Sequence, residues 1–70
     1  MKIVTQNGEV VYAHEIQNSG KEIKCTPKND RRKRVLVGVY DSVKRATEVF
    51  VEMTCEGWNN KNPSYIMPKE

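Results

Sequence analysis

The sequence predicts an α+β fold: a small antiparallel β-sheet of four or five strands packed on one C-terminal α-helix, in the order β-β-β-β-α-β. Three observations predict it. Short β-branched segments alternate with Gly- and Asn-containing turn signals through the first 40 residues. One later stretch carries apolar residues at spacings of three and four. A chain of 70 residues has room for a single domain, 1–70, and a modest core.

Lys2 to Gln6 reads as a first strand, and Asn7-Gly8 as a tight type I′ hairpin turn. Glu9 to His14 returns as a second strand rich in Val10, Val11 and Tyr12. Asn18-Ser19-Gly20 is a second turn signal before a third strand, Glu22 to Thr26, with Ile23 and Cys25 facing inward. Pro27 lacks the N–H a ladder needs, so the strand ends there or lies at an edge.

Lys28 to Lys33 forms a charged connection to the clearest strand, Arg34 to Tyr40. Strict alternation puts Val35, Val37 and Val39 on one face and Leu36 and Tyr40 on the other, which predicts a central strand covered on both sides. Asp41 and Ser42 are N-cap types for a helix to about Glu56, with Val43, Ala46, Val49, Phe50 and Met53 as its apolar stripe. Gly57 is a natural stop, residues 58–63 a polar loop, and Ser64 to Met67 a short closing strand ended by Pro68.

The net charge of +3 conceals an asymmetry. Residues 21–45 hold nine basic against three acidic side chains, a local balance of +6, whereas residues 1–20 and 46–70 are mildly acidic. The run Arg31-Arg32-Lys33-Arg34 lies at the tip of the predicted third hairpin. Like charges crowded on one turn repel each other, so a polyanionic partner is the simplest reason to keep them. The competing reading is a solvated tip that keeps a sheet edge from aggregating.

Lys44 and Arg45 fall in the first turn of the helix, where the macrodipole favours acids. Together with free N–H groups there, they could hold a phosphate in concert with Arg31, Arg32 and Arg34. Trp58 or Tyr40 would supply a stacking surface; Tyr12, Tyr40 and Tyr65 all lie in predicted strands as core or sheet-surface residues, with Tyr40 or Tyr65 the better candidates to face a ligand. A lone Trp after a helix end more often closes a small core, which is the competing reading of Trp58.

Several classes are disfavoured. His14 is the only histidine, and no Cys-x-x-Cys or His/Cys spacing suits a metal. Cys25 and Cys55 read as small fillers or thiols, not a disulfide framework. Glu48, Glu52 and Glu56 share a helix face, which reads as solvated surface in the absence of opposing acid–base partners. An enzyme is not expected, nor a cofactor. With no apolar leader and no apolar span of about 20 residues, a soluble cytoplasmic protein is expected. A core this small makes a homo-oligomer a likewise expected source of stability.

At Val37-Gly38-Val39-Tyr40-Asp41-Ser42, followed by Ala46, Val49 and Met53, the chain resembles a group of small uncharacterised proteins of Gram-positive bacteria and their phages. These pair an "SQDG"-like hairpin with a "GxYxSxExAxxVL" strand-to-helix segment and a C-terminal "MP". Here the first element is Thr5-Gln6-Asn7-Gly8 and the last Met67-Pro68. The helix start of that group is often acidic, so Lys44 and Arg45 depart from it. By analogy of size, element order and charge, the chain is also similar to phage anti-defence sponges for cyclic nucleotides. The resemblance implies a non-enzymatic phage-type protein of the host cytoplasm that sequesters a small phosphorylated ligand, of the cyclic-nucleotide class. Two alternatives stay open: DNA or RNA binding through the basic hairpin, and inhibition of a host protein by direct contact.

Overall fold

The computed structural model describes residues 1–57 and 64–70. Among them, β1 (Lys2–Val4), β2 (Val10–Ser19), β3 (Glu22–Pro27), β4 (Val35–Val39) and β5 (Ser64–Ile66) form one sheet in the order β4-β3-β2-β1-β5. All neighbours are antiparallel except β1 and β5, which run parallel. The helix α1 (Val43–Glu52) packs across β2 and β3 and continues into a wider turn, Met53–Gly57, of π type. The α+β class and the element order are those the sequence predicts. Among the described residues no helix is long and apolar enough to cross a membrane.

Local chemistry explains the turns. Gly8 N–H donates to the Thr5 carbonyl (2.9 Å) and Thr5 N–H to the Glu9 carbonyl (2.8 Å). Gly8 has φ +82°, while no residue other than glycine has a positive φ among those described. The turn is therefore a three-residue type I loop closed by a glycine bulge, not the predicted type I′ pair, which needs positive φ at Asn7 as well. Thr5 supports it by accepting from Asn7 and Glu9 N–H at its hydroxyl (3.3 and 3.2 Å). At the helix start, the Ser42 hydroxyl accepts from Arg45 N–H (3.1 Å) as the N-cap.

Two bulges redirect the strands. In β2 the register shifts between Ala13 and Glu15, leaving His14 extra. The strand bends there: before the bulge it pairs with β1 and, through Ala13, with Pro27, and after it only with β3. The segment Glu15 to Ser19, polar except for Ile16, therefore belongs to the strand, which runs five residues beyond the predicted end.

In β4 the shift lies opposite Ile23 and Lys24: Gly38 pairs with Ile23 and Leu36 with Lys24, so Val37 is the extra residue. One inserted residue exchanges the faces of everything after it. Val39 consequently turns outward with Leu36, and Tyr40 turns inward to 3% exposure. This corrects the alternation read from sequence, which had placed Val39 with Val35 and Val37, and Tyr40 with Leu36. It also corrects the strand's position, for β4 is an edge strand.

The core sits between the concave sheet face and the helix. Ile3, Ala13, Ile23, Cys25, Val37, Ala46, Val49 and Met53 are all buried. Tyr40, Tyr65 and Met67 close it. Gly38 admits this closure, because a Cβ there would lie 2.7 Å from Met67 Cε and 3.0 Å from Tyr40 Cε2.

The exposed edge of β4 is covered by Gln6. Its side-chain amide donates to the Val39 carbonyl (3.0 Å) and accepts from Val39 N–H (2.8 Å), as a neighbouring strand residue would. Gln6 N–H also donates to the Val37 carbonyl (3.3 Å). The loop after β1 thus reaches the far edge of the sheet and half-closes it into a barrel-like curve.

Candidate ligand-binding site

Two regions hold the sequence-predicted residues, and they lie at opposite ends of β4. Arg31, Arg32 and Arg34 are exposed on the connection before Val35. Asp30 shapes that connection: its carboxylate accepts from Arg32 N–H (3.0 Å) and its carbonyl from Lys33 N–H (3.2 Å). Lys44 and Arg45 come after Val39, in the helix. At about 3.3 Å per residue, the intervening strand holds the groups on the order of 15 Å apart. They do not converge on one anion, contrary to the expectation of a shared phosphate site.

At the helix end, Arg45 has other contacts. Arg45 Nε donates to the Glu70 carbonyl (3.0 Å), Nη1 lies 3.8 Å from Glu48, and the guanidinium carbon stands 6.0 Å from the Tyr40 ring centroid. That is the outer limit of a cation–π contact. Tyr40 donates its hydroxyl to the Pro68 carbonyl (2.8 Å), and Gln6 Nε2 donates to the carbonyls of Pro68 and Lys69 (3.1 and 3.2 Å). Arg45, Tyr40 and Gln6 therefore clasp the tail from Met67 to Glu70 over the end of β4. Tyr40 is a core residue there and offers no outward ring for stacking. Trp58 lies outside the described residues.

A concavity among the described residues lies at the other end. Pro27 stops β3 while β2 continues past it, and the last rung is Lys28 N–H donating to the Tyr12 carbonyl (2.9 Å). Beyond that rung a notch of about 380 Å³ remains. One wall is Val10, Val11 and Tyr12 of β2, and the other is Val35 of β4. Pro27 lies at its inner end, and the rim carries Lys28, Asn29 and Lys33. Cavities of about 300–1,000 Å³ with apolar walls and a few polar groups are the usual form of small-molecule sites.

Sequence reasoning missed the cleft's own residues. Tyr12 is 60% exposed, whereas Tyr40 and Tyr65 are buried, the reverse of the expected ranking. Its orientation follows from pairing: Ile3 opposes Val11 and faces the core, so Val10 and Tyr12 point out. Lys28 precedes the arginine-rich run and Lys33 lies within it, and it is these lysines, not the arginines, that line the cleft. The signal was present in the charged connection but was read from its most crowded part.

The acidic helix face is partly engaged. Glu52 Oε1 accepts the Tyr65 hydroxyl (2.7 Å). Burial first, and then this bond, push the Tyr65 phenol well above the ordinary tyrosine range. The side chain of Glu56 lies outside the described residues. Among the described residues no three His, Cys, Asp or Glu side chains gather as a metal site needs.

Comparison with protein-family models, curated proteins and solved structures finds no match.

Proposed function

We propose that the protein is a non-enzymatic, phage-type binding protein of the host cytoplasm that sequesters a small phosphorylated ligand of the cyclic-nucleotide class. The observation that carries this reading is the notch beyond Pro27, with apolar walls and a lysine rim. A ligand with one planar apolar part and one phosphate matches both surfaces at once. Lys28 and Lys33 supply charge-assisted hydrogen bonds to the phosphate, and Arg31, Arg32 and Arg34 raise the local positive potential that draws it in.

Calorimetric titration of cyclic mono-, di- and trinucleotides tests the reading. The wild type should bind at least one member. Lys28→Gln with Lys33→Gln should weaken that binding by at least about tenfold, since a hydrogen bond to a charged group contributes roughly 1.5–3 kcal/mol. Both side chains belong to exposed residues, so the unfolding midpoint should stay near that of the wild type. Silence across the whole panel from a folded protein would remove the reading.

The three arginines outside the cleft favour a second reading, in which the connection tracks the backbone of DNA or RNA. Salt separates the two. Nucleic-acid binding falls with a log–log slope set by the number of phosphates neutralised, whereas a ligand with one or two phosphates has a shallow slope. An oligonucleotide that binds steeply with salt and ignores the lysine pair would favour the second.

A further inference from the structure

We propose that Tyr12 is the residue that reads the ligand, stacking its ring on a single nucleobase while Lys28 and Lys33 hold the attached phosphate; this rests on the nucleotide reading above. Three observations carry it. The first is exposure: Tyr12 lies on a strand, is 60% open and lines the cavity. The other two tyrosines are buried, each with its hydroxyl bonded, to the Pro68 carbonyl and to Glu52.

The second observation is rigidity. The Tyr12 carbonyl accepts from Lys28 N–H, and the next residue, Ala13, donates to the Met1 carbonyl (2.7 Å). Tyr12 is also in register with Lys2 of β1. Its backbone is therefore held from both sides, and a ring on a fixed strand loses little conformational freedom when a base docks.

The third is size and polarity. Tyr12 and the 49% exposed Val10 line the notch together with Val35, and the lysines lie along the rim. A base fits the apolar walls and a phosphate fits the rim. A volume of about 380 Å³ is near the lower end for ligand cavities and suits one nucleotide unit.

The experiment uses 3′,5′-cyclic GMP and inorganic pyrophosphate as probes of the full chain and its Tyr12→Phe and Tyr12→Ala variants. Tyr12→Phe should keep cyclic GMP affinity within about twofold, because stacking uses the ring and not the hydroxyl. Tyr12→Ala should weaken it by about 5- to 150-fold, the equivalent of about 1–3 kcal/mol of stacking. Pyrophosphate affinity should be equal in all three proteins. Circular dichroism of Tyr12→Ala establishes that the sheet persists.

Cyclic GMP binding that survives Tyr12→Ala but is lost in the Lys28→Gln, Lys33→Gln variant would overturn the inference and leave the phosphate site standing. Equal loss of cyclic GMP and pyrophosphate in Tyr12→Ala would overturn it too. Binding confined to cyclic di- or trinucleotides would rule out the single-base assignment. A wild type that binds no phosphorylated probe would end both readings.

Discussion

At the helix end of β4, Arg45 reaches the Glu70 carbonyl beside Tyr40, while Gln6 bonds both polar groups of Val39 and two tail carbonyls. At the other end, Lys28 and Lys33 line an open notch and three arginines stand exposed nearby. The first region commits its polar groups to holding the chain together. The second leaves its cationic side chains uncommitted among the described residues, beside exposed apolar wall. Cations of similar type thus serve different ends, and backbone placement decides which. Where the tail crosses, a cation near the edge has carbonyls to bond. Where Pro27 ends β3, the chain leaves a gap that no segment among the described residues fills.

The comparison breaks if changes at the closed end disturb ligand capture, or if changes at the open end disturb stability. The largest expected effect is on Met67, whose side chain is buried over Gly38. Met67→Ala should cost about 2–5 kcal/mol in urea-induced unfolding. Below the unfolding transition it should leave ligand affinity unchanged. A stability loss under about 1 kcal/mol would mean that the tail is not part of the core.

Next is Gly38→Val, which inserts a branched side chain where even a Cβ meets Tyr40 at 3.0 Å. Crowding of this kind typically costs about 1–3 kcal/mol. The methionine tip can move aside, but the Tyr40 ring is held by its hydroxyl bond to Pro68. Combined with Met67→Ala, the penalty should be smaller than the sum of the two, because both act on one contact. Strict additivity would separate Gly38 from the clasp.

The smallest effect is a dependence on alkaline pH. Burial raises the phenols of Tyr40 and Tyr65 above the ordinary tyrosine range, and the Glu52 bond raises Tyr65 further. The folded state therefore keeps these protons longer than the unfolded chain. Their stabilising contribution is complete below the unfolded tyrosine value, about pH 10, and is lost as pH rises through the folded values. Urea midpoints should fall above about pH 10, and Tyr65→Phe should shallow that fall. An unchanged pH slope in Tyr65→Phe would show that Tyr65 does not sense folding.

The sequence by itself determined the element order, the Ser42 cap and the halt of β3 at Pro27, because each depends on a few adjacent residues and the backbone conformations they allow. It also determined that positive charge concentrates in the middle third. Only the tertiary structure decided which charges meet and which aromatic faces outward. The bulge at Val37 sends Tyr40 into the core and Val39 to the surface, and neither residue's type signals that reversal. The parallel pairing of β1 with β5 and the reach of Gln6 to β4 join residues more than 30 positions apart. Contacts at such separation follow from how elements pack, so no local pattern records them. The cleft belongs to the same class: it exists because β2 outlasts β3 and bends at His14, a consequence of strand lengths set against one another.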